Sequence, residues 1–227
     1  MLILLLHHVG APPPGVKRRK LYITKEQLDG HVRWLREKGY RFTTLTKALE
    51  TPEPVACLTF DDGFTDVLAA LGSEVPATVF AVTSRVGEKS VVFDGDQGVA
   101  PADLLSWDEL ERLRDAGWEI GSHAHAHLRK PSYEDLVRSR ETLRDKLGVE
   151  ATALAYPYGA YDSETIDAAR RAGFRCAATV KSGLASRETP FQLRRVILSG
   201  FGAVTAFERL KLMGVHRGVY PLNEKPL

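Results

Sequence analysis

Val55-Ala56-Cys57-Leu58-Thr59-Phe60-Asp61-Asp62-Gly63 sets the terms on which the whole chain is read. The run from Val55 to Phe60 is apolar but for Thr59, the pattern of a strand buried on both faces of a parallel sheet. Two adjacent carboxylates follow it, and then a glycine that can turn the chain. The same unit recurs in both directions from this point. An apolar run leads to a turn, then to a charged helical pattern ending at glycine, then to an aromatic that opens the next apolar run. The joints are Gly39-Tyr40, Gly117-Trp118 and Gly173-Phe174. Each glycine suits the left-handed position just past a helix C-terminus.

The helix starts agree with the joints. Thr24 with Gln27, and Ser106 with Glu109, have capping-box spacing, and Ser132 and Asp162 are N-cap residue types. These signals predict helices over 24–38, 106–116, 132–147 and 162–172, with Leu28, Val32 and Leu35 on one face of the first. Apolar runs at 2–6, 55–60, 77–82, 118–121, 152–156 and 174–180 supply the strands. Alternation of this kind implies a largely parallel sheet covered by helices, and six or seven units favour a closed or nearly closed β/α barrel. Functional residues of such barrels gather at the strand C-termini. Asp61, Asp62, His123, His127 and Tyr158 all fall there, and residues 83–105 break the repeat as an irregular excursion near the site.

Composition excludes several classes. The chain has 227 residues, 44% hydrophobic and 26% charged, and 31 basic against 29 acidic residues leave a net charge of +2. That balance offers no nucleic-acid surface. Lys17-Arg18-Arg19-Lys20 is a local exception, which reads as a solvated loop after Pro12-Pro13-Pro14-Gly15. Cys57 and Cys176 lie in apolar runs and read as buried free thiols. No stretch reaches the roughly 20 apolar residues that span a bilayer. The start, Met1-Leu2-Ile3-Leu4-Leu5-Leu6, lacks a basic leader and reads as a buried first strand, which argues for the cytoplasm.

Two constellations carry chemistry. Asp61 and Asp62 sit at a strand end where one can meet a metal and the other a water. In Ser122-His123-Ala124-His125-Ala126-His127, three imidazoles cluster after another apolar stretch, and a loop there can converge two of them. Two imidazoles and one carboxylate form the donor set of a catalytic zinc site with a position left open. A spare carboxylate beside it serves as general base. Tyr156-Pro157-Tyr158-Gly159 can turn a backbone N–H outward toward a developing oxyanion. His7-His8 follow the first strand and reach the same face, while His31 and His216 have no supporting context. Trp107 and Phe93 read as core residues with the option of lining a sugar groove. Metal-assisted hydrolysis is the chemistry these residues point to.

With these motifs in place, the chain resembles the polysaccharide deacetylases of carbohydrate esterase family 4, the NodB-homology domain. The resemblance runs from Leu6-His7-His8-Val9 to the Phe-Glu-Arg-Leu stretch at 207–210, and so implies one catalytic domain over 1–227. It implies a distorted (β/α) barrel holding one divalent metal, zinc foremost, with cobalt or nickel as alternatives. Thr59-Phe60-Asp61-Asp62-Gly63 is similar to the first motif, which implies Asp61 as catalytic base and Asp62 as metal ligand. The histidine segment resembles the second motif, His-Ser/Thr-x-x-His, implying His123 and His127 as the other ligands and His125 as a spacer. Ala155-Tyr156-Pro157-Tyr158-Gly159 is similar to the third, which implies the Tyr158 amide as oxyanion donor.

Three departures are visible. Ala124 replaces a serine or threonine, and Ala155 replaces the arginine that buttresses the base, so that buttress is expected to be missing. The last two motifs, an Asp-Trp segment and a Leu-x-His, have no counterpart. The general acid therefore stays open among His7, His8 and His125. The implied activity is removal of acetyl from an N-acetylated sugar or polysaccharide. Hydrolysis of another C–N bond or an acyl ester, and a catalytically weak carbohydrate-binding module, remain as alternatives. The expected partner is an N-acetylated sugar or oligosaccharide, with no nucleic acid and no membrane span, and the oligomeric state is open.

Overall fold

Every residue of β1 (Leu2–Leu6) is buried, because its two faces serve different layers. Leu2, Leu4 and Leu6 join the outer core beneath the helices, whereas Ile3 packs inside the curl of the sheet with Cys57, Phe80, Ala155 and Leu193. The computed structural model describes residues 1–93 and 98–200. The stretch at 207–210, His216 and the C-terminal part of the expected 1–227 domain lie outside the described residues.

In chain order the elements are β1, β2 (His8–Val9), β3 (Tyr22–Ile23), α1 (Lys25–Glu37), β4 (Arg41–Phe42), α2 (Leu45–Glu50), β5 (Val55–Phe60) and β6 (Ala77–Ala81). Then follow α3 (Trp107–Asp115), β7 (Glu119–Ser122), α4 (Tyr133–Leu147), β8 (Ala153–Ala155), α5 (Ser163–Arg171), β9 (Cys176–Ala178) and β10 (Val196–Ile197). The main sheet runs β10-β1-β5-β6-β7-β8-β9 with every pairing parallel, and β4 adds to the start of β5. Segment 193–198 brings the two edges together. Leu193 exchanges hydrogen bonds with β9 (its N to Ala177 O 3.0 Å, Thr179 N to its O 2.9 Å), and β10 pairs with β1. The result is the NodB-type distorted (β/α) barrel, as expected.

Both capping boxes form, at Thr24/Gln27 and Ser106/Glu109, and Ser132 and Asp162 cap α4 and α5. Gly39, Gly117 and Gly173 all have left-handed φ, at 83°, 86° and 89°. Small side chains inside the barrel make room for large ones. A Cβ on Gly121 would stand 2.6 Å from the Phe80 ring, so β7 must carry a glycine there. Cys57 and Cys176 are buried free thiols, and burial pushes Cys57 up to about 12.

Several elements arise where none was expected. β2 and β3 follow the first strand, β4 and α2 lie between 41 and 50, β10 lies at 196–197, and the chain after β5 forms a 3-10 stretch (Thr65–Ser73). Each of the missed strands has two residues, and its pairing is decided by a partner outside its own segment. Among the described residues no helix is long and apolar enough to cross a membrane.

Candidate active site

The two carboxylates part company because of the turn that follows β5. Asp61 continues the strand, its N–H donating to Leu6 O at 3.0 Å. Asp62 then adopts φ 72° and Gly63 φ 75°. Aspartate is among the few residues besides glycine that tolerate the left-handed region. The reversal swings the Asp62 side chain away from that of Asp61.

Asp62 meets the histidine segment. Its Oδ1 lies 3.3 Å from His123 Nε2 and 3.3 Å from His127 Nε2. His123 Nδ1 sits 2.8 Å from Ala155 O, so Nδ1 carries the proton and Nε2 faces the carboxylate. The loop between the two histidines is strained and tied down. Ala124 (φ 63°) and His127 (φ 55°) are left-handed, a cost that only surrounding structure can sustain. Asp135, in the first turn of α4, accepts from the backbone N–H of His125 and of Ala126, both at 3.0 Å. The Ala124 N–H donates to Ser122 Oγ at 3.0 Å, and that hydroxyl contacts Ser139 Oγ at 2.7 Å. Ala124 has no hydroxyl of its own, and Ser122 and Asp135 hold the loop.

One Asp62 oxygen and two imidazole nitrogens all lie within 4.8 Å of one another. Zinc bonds of about 2.0–2.2 Å in tetrahedral geometry separate neighbouring donors by roughly 3.3–3.5 Å. The 3.3 Å spacings therefore fit a shared cation better than direct hydrogen bonds, which are shorter. Burial opposes charge on Asp62, but the His123 and His127 imidazoles beside it hold its carboxyl well below the usual range. The triad can hold a divalent cation with positions left open.

Asp61 has a different partner, and one the sequence reading passed over. Arg195, just before β10, is fully buried and grips Asp61 with both ends of its fork, Nη1 to Oδ1 and Nη2 to Oδ2, each at 2.7 Å. Its Nε donates to Thr179 O at 2.8 Å and Nη1 to Thr59 Oγ1 at 3.1 Å. Burial alone would raise the Asp61 carboxyl, yet the Arg195 guanidinium holds it below its ordinary value. The expectation of a missing buttress is thus corrected. The arginine absent at position 155 is replaced by one arriving from the opposite edge of the sheet. An arginine among apolar residues, Leu193-Arg194-Arg195-Val196-Ile197-Leu198, was the available signal, since a buried guanidinium demands a carboxylate.

Asp61, Asp62, His123 and His127 line a cavity of about 230 Å³, joined there by His7 and Tyr158. Phe93, from the 83–105 excursion, contributes to the wall, whereas Trp107 packs on the outer core. Tyr158 has φ 59°, and its ring stands 4.6 Å from that of His127. Of the three candidate acids, His7 and His8 line the cavity and His125 does not. His125 turns to Thr83, with Nδ1 3.0 Å from its Oγ1. His8 is clasped between the Tyr22 and Phe64 rings, at 4.3 and 3.9 Å, with Nδ1 2.8 Å from Asp66 Oδ2. His7 faces both catalytic-site carboxylates. Burial lowers its pKa, and Asp62 and Asp61 pull it partly back.

The fold has counterparts among solved structures. The Streptococcus pyogenes deacetylase PplD, solved in complex with acetate, superposes with a TM-score of 0.73 at 19% identity, covering 88% of this chain and 93% of that one. That likeness is one of fold. By sequence, YxkH of Bacillus subtilis (strain 168) is 25% identical over 201 residues, 82% of this chain and 69% of that protein. The poly-beta-1,6-N-acetyl-D-glucosamine N-deacetylase of Staphylococcus aureus (strain MSSA476) is 23% identical over 215 residues, 83% of this chain and 70% of that protein. The family model described as polysaccharide deacetylase matches residues 48–177. Those residues are more than half of the chain and hold both carboxylates, both inward-facing histidines and Tyr158, so the chain belongs to the polysaccharide deacetylase family.

Proposed function

We propose that the protein is a metal-dependent hydrolase that removes N-acetyl groups from an N-acetylated sugar or polysaccharide. The observation that carries this reading is a buried carboxylate, Asp61, held ionised by Arg195 in the same cavity as the Asp62–His123–His127 donor set. Names of the relatives support the substrate class.

A divalent cation on Asp62, His123 Nε2 and His127 Nε2, zinc foremost, supplies polarisation of the amide carbonyl and lowers the pKa of water toward about 7. The chain's own residues do the rest. Each Asp61 oxygen spends one lone pair on Arg195, which leaves the other directions for the proton of the attacking water. Water oxygen bonds to the acetyl carbon as that proton passes to Asp61. The Tyr158 backbone N–H donates to the oxyanion that develops on the carbonyl oxygen. The proton taken by Asp61 then passes, relayed by the His7 imidazole, to the sugar nitrogen as the C–N bond breaks, giving acetate and a free amine. His7 takes this part because His125 faces Thr83 and the Nδ1 of His8 is held by Asp66.

Acetate release from N-acetylglucosamine oligosaccharides is the direct test. Activity should disappear with a chelator and return on adding zinc, cobalt or nickel. Acetate release that survives exhaustive chelation would remove the metal from the mechanism. The loop tie gives a separate expectation. Asp135→Ala releases two amides of the ligand loop, so zinc affinity by calorimetry should fall about 10- to 100-fold, as for other supports of metal ligands. An affinity within twofold of the parent would show that the Asp135 tie does not set the geometry of the ligand loop.

A further inference from the structure

Ser139 stands in the middle of α4 with no solvent exposure. Both facts count against a serine. Inside a helix its hydroxyl competes with the backbone, and alanine is the better helix former. Burying the hydroxyl costs free energy unless it is hydrogen-bonded. The other inward positions of α4 include Leu136, Leu143 and Leu147, as a core requires. The contacts of Ser139 account for the exception.

Its Oγ lies 2.7 Å from Ser122 Oγ, at the end of β7, and accepts from Thr83 Oγ1, just past β6, at 3.3 Å. Thr83 Oγ1 in turn lies 3.0 Å from His125 Nδ1. Thr83 has one hydroxyl proton and gives it to Ser139, so the His125 N–H is the donor to Thr83. Ser139 then donates to Ser122, whose Oγ also accepts the Ala124 N–H at 3.0 Å. All three hydroxyls are buried. Aligned hydrogen bonds in such an interior strengthen one another. The chain thus runs from the His125 ring to the Ala124 backbone, and both ends lie between the two inward-facing histidines.

We propose that Ser139 is a positioning residue for the metal-ligand loop: through Ser122 and Thr83 it holds Ala124 and His125 so that His123 and His127 keep their Nε2 atoms on Asp62. This inference rests on the reading of Asp62, His123 and His127 as a cation site. The loop needs such a strut because Ala124 and His127 are left-handed, a conformation that persists only where the surroundings over-determine it. Backbone pairing fastens one side, with Thr83 N donating to Ala124 O at 3.3 Å and Ser84 N to His125 O at 3.1 Å. α4 fastens the other. There Asp135 is half-buried, and Ser139, one turn further along the same face, is sealed from water.

Ser139→Ala removes the hydroxyl and favours the helix. Zinc affinity of the chelator-stripped full chain, by calorimetry, should fall about tenfold, the lower end for supports of metal ligands. Amide exchange on metal-free protein reads the loop without any metal. The Ala124 amide should exchange about tenfold faster, while amides of β5 keep the parent rate. Leu143→Ala, one turn along the same face and in the outer core, is the control for general loosening. It should lower the melting temperature more than Ser139→Ala does and leave zinc affinity near that of the parent. Thr83→Val takes out the neighbouring hydroxyl at nearly constant shape, and it gives a second reading if Ser139→Ala folds poorly. Zinc affinity should fall with it too.

Where the parent binds zinc, an affinity unchanged by Ser139→Ala overturns the positioning role, and so does an equal loss in Leu143→Ala. A parent that binds no zinc defeats the metal reading. The exchange rate of Ala124 then decides by itself whether Ser139 holds the loop, and an unchanged rate overturns the strut as well.

Discussion

Asp61→Asn is expected to lower kcat/KM for acetate release by about 10²- to 10⁴-fold, the range attached to a positioned general base. Asparagine keeps the size of aspartate and one acceptor oxygen, but its NH₂ cannot take a proton from water. Zinc binding should persist, since Asp62, His123 and His127 are untouched and the turn at Asp62-Gly63 does not depend on the Asp61 charge. Calorimetry beside the acetate assay separates the two effects. A variant that binds zinc like the parent and keeps more than a tenth of its activity would take Asp61 out of the base role. Asp62→Ala makes the converse comparison, because it removes a donor of the triad and should abolish zinc binding and activity together.

Arg195→Met should destabilise the fold by about 3–5 kcal/mol, the usual consequence of stranding one member of a buried ion pair. Arg195 has no solvent exposure and Asp61 only 3%, so water cannot replace the lost fork. Methionine approximates the aliphatic part of the side chain and leaves the Asp61 carboxylate, Thr59 Oγ1 and Thr179 O without their donor. For a chain of this length the melting temperature should fall by roughly 6–20 °C. Adding Asp61→Leu to Arg195→Met removes the stranded charge and should recover part of the loss, a coupling that a double-mutant cycle reads directly. A cost under about 1 kcal/mol for Arg195→Met alone would mean that the pair is not sealed from solvent.

The expectations that held rest on short-range physics. A capping box is three residues long, so Thr24/Gln27 and Ser106/Glu109 announce α1 and α3 without reference to the rest of the chain. Glycine joints report local φ, and runs such as Val55–Phe60 report burial on both faces. β4 and β10 escaped because two residues carry no periodicity, and their pairing with Val55–Ala56 and Leu4–Leu5 is settled outside the local stretch, for β10 by a partner at the other end of the described chain. The 3-10 stretch after β5 escaped because nothing local announces its start: Phe64 stands at its N-cap and makes no side-chain cap hydrogen bond.

The candidate site divides in the same way. The sequence by itself determined that two carboxylates and three imidazoles stand at strand ends, where a parallel barrel gathers its chemistry. It could not say which carboxylate faces which partner, because consecutive residues separate only through the left-handed turn at Asp62. Nor could it connect Arg195 with Asp61 across 134 residues. That ion pair exists because segment 193–198 closes the barrel beside β1 and leaves Arg195 with no solvent exposure. The separation of His125 from His7 and His8, and the reach of Ser139 to the histidine loop, were likewise decided only in three dimensions. Residue type is a local property, whereas the partner that gives a charge its meaning is chosen by packing.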